Sequence, residues 1–177
     1  MGKQTWRRFP RFGRWDGPLG LAEQIKTAEN IRRHPECVIN LPNPEMWPQV
    51  ERLAPLTGKN PVPEKKVKQF HYRREKFDAA SLTPMPSELV RPARVKECPV
   101  QMEARVRAVH FLHGEKLQEL GGGVAAEVEI LRVHVASDLV VKDHYVNPAK
   151  WSPLIYNFRH YYRLAETELG RTFRAEV

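Results

Sequence analysis

Cysteine is scarce: the chain of 177 residues holds two, Cys37 and Cys98. They form no CxxC pair and no zinc-ligand spacing, which excludes a disulfide framework and a zinc module. Cys37 lies in a short apolar run and reads as a small buried residue. Cys98 opens another such run, so both thiols are expected to be reduced and the protein cytoplasmic. Long hydrophobic runs are also missing, and a mean hydropathy of −0.56 describes a soluble protein with no membrane partner. Of the nucleotide and hydrolase signatures, Walker A, GxGxxG, GxSxG and HExxH are all absent. His110 and His113 are three apart but have no carboxylate at ligand spacing, so no metal is expected. Neither cysteine has neighbours that would lower a thiol pKa. No catalytic side-chain constellation is visible, which leaves a binding module or an enzyme whose chemistry belongs to its cofactor.

What is present is a basic chain long enough for one domain with a real core. The net charge is +8, and the first sixteen residues hold Lys3, Arg7, Arg8, Arg11 and Arg14 against Asp16. The remaining body is only mildly basic, a weak argument for a nucleic-acid partner. In residues 1–20, Trp6, Phe9, Phe12 and Trp15 recur every third position with arginines between them. Pro10, Gly13, Gly17 and Pro18 rule out a helix, and no strand alternation shows. A disordered basic tail, a base-stacking strip and an interfacial segment are the competing readings. The tail is adopted, with nucleic acid left out of the expected partners. Trp6 stands where a myristoylation signal needs Ser or Thr, and no apolar stretch follows Arg7-Arg8 as export would require.

Further along, residues 26–42 read as a capped helix turning into a strand. Thr27 is the expected N-cap, Glu29 and the pair Arg32 and Arg33 follow the helix dipole, and Pro35 stops the helix. Residues 37–41 are short and β-branched, a strand. A helix start flanked by Lys26 and Thr27 also suits a phosphate, beside the plainer reading of a solvated lysine. Residues 45–53 read as a second helix, with Met46, Val50 and Leu53 on one face and Pro48 in its first turn. Residues 55–92 are proline-rich and irregular, carrying the basic run Lys65, Lys66 and Lys68. A connection of that length is more often functional or interfacial than idle.

Two strands stand out beyond it. Val100, Met102, Ala104, Val106 and Ala108 alternate with Gln101, Glu103, Arg105 and Arg107, which predicts one buried face and one in water. Over residues 124–135 the alternation slips by one at Ile130-Leu131, the signature of a β-bulge. Gly121-Gly122-Gly123 precede a strand rather than a helix and read as a flexible loop. Leu139 to Val141 form another short strand, Asp143-His144 a turn, and residues 147–154 a turn with a docked segment. Tyr156, Phe158, His160, Tyr161 and Tyr162 cluster before an extended tail over 169–177.

These pieces, taken in order, resemble the flavin reductase-like family. Gly20-Leu21, Lys26-Thr27-x-x-Asn30-Ile31 and Cys37-Val38-Ile39-Asn40-Leu41-Pro42 form the first block. Glu97-Cys98-Pro99-Val100-Gln101-Met102-Glu103 is similar to the family's ECPVQLE strand, and Val146-Asn147-Pro148 with Trp151-Ser152-Pro153-Leu154 to its VDPxxWxPL segment. Tyr161-Tyr162-Arg163-Leu164 and Leu169-Gly170-Arg171-Thr172-Phe173 resemble its C-terminal end, so the likeness covers about residues 20–177.

The resemblance implies a mainly β (α+β) fold with short helices, a six-stranded Greek-key FMN-binding split β-barrel, usually a homodimer with FMN near the subunit interface. It implies NAD(P)H as co-substrate, hydride transfer to flavin, and delivery of reduced flavin to a partner monooxygenase. The alternative is a non-catalytic or truncated FMN-binding or interaction protein. The family's Lys/Arg-x-Thr-x-x-Asn turn lies by the FMN phosphate, which singles out Lys26, Thr27 and Asn30, together with Gln24, where the family carries an Arg. Nothing in residues 1–19 resembles the family's opening strands. That segment is therefore read as an atypical, disordered start joined to a split-barrel domain at 20–177, with the first barrel strands lost and a sheet edge left open.

Overall fold

A computed structural model of the chain describes residues 5–9, 16–112, 114–115, 122–142 and 145–165. Strands β1 (Trp6–Phe9) and β2 (Asp16–Ala22) lead into helix α1 (Lys26–Arg33) and strand β3 (Glu36–Leu41). Helix α2 (Trp47–Leu53) is followed by β4 (Leu56–Thr57), β5 (His71–Tyr72), α3 (Lys76–Ala79), β6 (Pro84–Met85) and β7 (Arg94–Val95). Then come the two long strands, β8 (Val100–Leu112) and β9 (Gly123–Ala136). Short strands β10 (Val140–Val141), β11 (Tyr145–Val146), β12 (Ile155–Asn157) and β13 (His160–Tyr162) end the described chain.

The main sheet is antiparallel and built around β9. On one side β8 pairs with β9 along its length, and β3 adds to the far edge of β8. The other edge of β9 is shared end to end: β2 lies opposite residues 123–129 and β1 opposite 133–136. Among the described residues this five-stranded sheet does not close on itself. The bulge expected at Ile130-Leu131 is there. Glu103 faces Arg132 and Ala104 faces Ile130, so Leu131 is the extra residue. A second irregularity leaves Arg107 extra on β8, and such insertions bend and coil a ribbon.

The core lies in two adjoining clusters. Ala104, Val106, Ala126 and Val128 form one, and Ile31 of α1 packs on it with Leu21 and Ile39 at its margin. Val100, Val135, Ala136 and Leu139 form the other, flanked by Trp6, Leu41 and Trp151. The docked segment expected around Trp151 is therefore present, and its Leu154 N–H donates to the Pro42 carbonyl at 2.9 Å.

Three expectations are corrected. Residues 1–19 are not wholly a disordered start: Trp6 to Phe9 pair with β9, and Asp16 to Ala22 form a continuous strand. Single residues of Trp, Gly and Pro show no alternation, yet the exposed edge of a long partner strand supplies the ladder that local pattern lacks. Pro18 sits at an edge, the position a strand proline tolerates. Second, the polar face of β8 is not solvated near its start, since Gln101 and Glu103 are fully buried, as is His134 of β9. Residues 83–97 lie over them, so a tertiary cover overrides the local alternation. Third, Thr27 is not the N-cap of α1. The helix begins at Lys26 behind Ile25, with no side-chain cap hydrogen bond. Other sequence features, namely Arg11, Phe12, Arg14 and Trp15, His113, Gly121, the Asp143-His144 turn and the tail over 169–177, lie outside the described residues.

Because Trp6 is the apolar anchor of β1, Trp6→Ala should lower stability by about 2 kcal/mol, less than a fully buried Trp would cost. Urea unfolding indistinguishable from that of the parent chain would show that β1 contributes nothing to the fold.

Candidate functional site

Helix α1 is short and strongly two-sided. Ala28 and Ile31 are buried against the sheet, while Thr27 and Asn30 face outward with Gln24 just ahead of the helix. That burial sets the phase of the helix and explains its start. The chain turns out of β2 with the Ile25 N–H donating to the Ala22 carbonyl, and the Glu29 N–H donates back to Ile25. Thr27 therefore lies inside the first turn. The N–H groups of Lys26, Thr27 and Ala28 have no carbonyl one turn earlier within the helix, and no side chain caps them. At the other end the His34 N–H donates to Asn30, and Pro35 prevents a further turn.

Cations gather at this helix start. Lys26 Nζ lies 2.7 Å from Glu29 Oε1, and Arg33 approaches the same oxygen at 3.2 Å. Lys59 Nζ donates to Glu29 Oε2 at 3.2 Å from a separate loop. Hydrogen bonds from Lys26 and then Lys59 hold the Glu29 carboxyl at about 2, so it stays ionised through the neutral range. Three cations thus share one anion.

Lys59 was not singled out in the sequence. The only local signal is a Thr-Gly-Lys run beyond α2, and nothing in it shows which element the lysine reaches. In the fold, the Lys59 N–H donates to Thr57 Oγ1 at 3.1 Å, which shapes the loop. Gly58 lets that loop approach α1 closely, since a Cβ there would sit 3.1 Å from Lys26 Cγ. The parallel pairing of β4 with β5 seats the loop, and the Arg73 N–H donates to the Thr57 carbonyl at 2.9 Å.

Thr27 and Asn30 thus lie exposed on α1 with Gln24 exposed just ahead of it, while half-buried Lys26 meets Lys59 and Arg33 at Glu29. Uncapped N–H groups, a hydroxyl, an amide and ammonium groups match the donor set that a phosphate monoester accepts from. The glycine loop also comes near. Gly122 adopts a left-handed φ of 77°, and any side chain there would run into that of Glu23. The thiols are poor nucleophiles here, because burial raises both and pushes Cys98 up to about 12.

The model described as flavin reductase like domain matches residues 19–165. The chain is 44% identical over 161 residues to the uncharacterized protein YdfE of Bacillus subtilis (strain 168), covering 90% of this chain and 74% of that one. It is similar in structure to flavoredoxin of Desulfovibrio vulgaris (Miyazaki F), with a TM-score of 0.68, 21% identity, and coverage of 91% of this chain and 80% of that one. A second similar structure is nitrilotriacetate monooxygenase component B from Bacillus cereus, with a TM-score of 0.62, 19% identity, and coverage of 87% and 75%. At these identities the likeness shows the fold, which is the flavin reductase-like split barrel.

The Glu29 cluster is open to direct measurement. In a carboxyl NMR titration Glu29 should titrate near 2, and Lys59→Ala should move it up toward the ordinary range. The depressed value contributes stability that is fully present above the ordinary carboxyl range and is lost as pH falls from there through about 2. An unchanged Glu29 titration in Lys59→Ala would show that the lysine does not reach the helix start.

Proposed function

The chain belongs to the flavin reductase-like family, whose model spans residues 19–165, and from that premise we propose that it binds FMN and transfers a hydride from NAD(P)H to flavin. The observation that supports this reading is the α1 start, an uncapped helix turn that carries Thr27 and Asn30 exposed and where Lys26 and Lys59 meet at Glu29. Gln24 belongs to the same surface, though as a neutral amide it contributes less to binding an anion than the family's Arg would. A bound flavin supplies the hydride-accepting ring, so the protein's side chains bind and orient it and no acid or base is required of them. Lys26 and Lys59 attract the phosphate, and the helix amides and the Thr27 hydroxyl donate to its oxygens.

The same proposal includes a homodimer, a cytoplasmic location consistent with two free cysteines, and delivery of reduced flavin to a partner monooxygenase. Support for an interface between subunits comes from the hairpin of β12 and β13. There Phe158 is 89% exposed and Tyr156 64%, beside Trp47, whose ring centroid lies 6.1 Å from that of Tyr161. The unclosed main sheet favours a second reading, in which the chain binds flavin or a partner without reductase activity.

The visible spectrum of the purified chain with added FMN separates these readings. Bound flavin that bleaches on addition of NAD(P)H supports the reductase, and bound flavin that stays oxidised supports the second reading. Absence of flavin uptake at high FMN would overturn the proposal. Lys26→Ala combined with Thr27→Ala should weaken FMN about tenfold or more while leaving riboflavin nearly unchanged, since only FMN offers a phosphate to these donors. Equal losses for both flavins would place the phosphate elsewhere.

A further inference from the structure

Residues 84–95 cross the face of β8 and β9 and are held there by polar groups. Glu103, fully buried, accepts from the backbone N–H of Glu88 at 2.9 Å and of Leu89 at 2.6 Å, and lies 2.7 Å from His134 Nε2. Arg94 Nε stands 3.8 Å from the same carboxylate. Arg94 also donates to the Pro86 carbonyl through Nε and Nη2, at 3.1 and 2.9 Å, and to Gln101 Oε1 at 3.0 Å. Gln101 in turn donates to the carbonyls of Val95 and Cys98. At the rim the Glu88 carboxylate is bridged by Arg8 of β1 and Arg132 of β9, the Arg91 N–H donates to Glu36, and the Val95 N–H donates to Asn40. Apolar burial contributes little to this attachment. Val90 is the buried apolar side chain of the segment, and Leu89 is 45% exposed.

We propose that residues 84–95 form a strap latched to the sheet through Glu103 and His134, and that acid releases the strap as a unit while the β8–β9 sheet stays folded. The chemistry of the histidine makes the latch sensitive. With Nε2 donating to a carboxylate, Nδ1 is the bare nitrogen, and it is buried with no hydrogen-bond partner. Protonation would place an N–H there without an acceptor and a positive charge beside Arg94, at a site that excludes water. Burial accordingly pushes His134 below its ordinary value, against the pull of Glu103. Burial works to raise Glu103, but the amides of Glu88 and Leu89 and the histidine outweigh it and hold the carboxyl below its ordinary range.

Both groups return to ordinary values once the strap lifts and water reaches them, so release takes up protons. A group depressed in the latched state stabilises it above the ordinary pKa and ceases to do so as pH falls. The latch is therefore intact above the ordinary histidine pKa of about 6.5 and weakens below it. Glu103 adds to the loss only in stronger acid. Glu88 with Arg8 and Arg132, and Arg94 with Gln101, are the other charged and polar groups that face the pair.

Amide hydrogen exchange of the full chain at pH 7.5 and pH 5.0, normalised for intrinsic rates, tests the strap. The amides of residues 84–95 should lose protection by about tenfold or more relative to those of β8 and β9. His134→Gln should flatten this pH dependence, and Glu103→Gln should leave the strap unprotected at both pH values. Joint loss of protection in strap and sheet would overturn the proposal, as would a strap that keeps full protection at pH 5.0. Should the variants fail to fold, NMR titration of the His134 ring in the parent chain decides. A midpoint that coincides with strap exchange supports the latch, and one that does not overturns it.

Discussion

The pairing of β8 with β9 is the constraint on which the main sheet rests. These strands are joined at one end and matched from Val100 opposite Val135 to Leu112 opposite Gly123. Each remaining strand of the sheet pairs with one of the two. The extra residue Leu131 reverses the phase of β9 partway along. Before it, Ala126 and Val128 face the cluster that receives α1; beyond it, His134 and Val135 are both buried, the first under residues 83–97 and the second in the other cluster. One inserted residue thus keeps Val133 and Val135 on the same face of the sheet as Val128 and Ile130, opposite Val100, Met102, Ala104 and Val106 of β8, at the cost of a ladder hydrogen bond.

Two carboxylates show how position decides what a charge does. Glu103 is dry, and its oxygens are saturated by amides and a histidine, so it acts as a fixed internal joint. Removing one partner of such a group leaves a buried charge uncompensated, which is far more damaging than losing a surface pair. Glu29 is wet and surrounded by Lys26, Lys59 and Arg33. In that setting each contact is weak and exchangeable, so the cations are held near the helix start without being committed to one partner. Glu29 thus gathers the ammonium groups of Lys26 and Lys59 beside the first turn of α1.

Part of the local structure was legible in the residues. Lys26, Thr27 and Pro35 mark a short helix near where α1 lies, Asn30 enters through the family resemblance, and the bulge at Ile130-Leu131 follows from alternation alone. The capping role of Thr27 was misplaced because the phase of α1 is set by what Ala28 and Ile31 pack against, and this depends on the sheet rather than on local propensity. The solvation of Gln101, Glu103 and His134 was misjudged for a related reason: alternation reports two faces of a strand and is silent on what covers each. Lys59 escaped because a loop thirty residues from Glu29 in sequence carries no mark of its destination.

The resemblance to the flavin reductase-like family implied the mainly β class; by itself the sequence determined the long strands with their phase slip and the helix start with its basic and hydroxyl side chains. These are properties of residue order and of short-range periodicity. Only the tertiary structure decided that Trp6 to Phe9 and Asp16 to Ala22 are strands, that a carboxylate and a histidine are buried under a polar strap, and that Lys59 joins Lys26. Each of those depends on a partner distant in the chain, whose backbone donors, unpaired edge or charge alters the free energy of a local conformation that short-range preference leaves open.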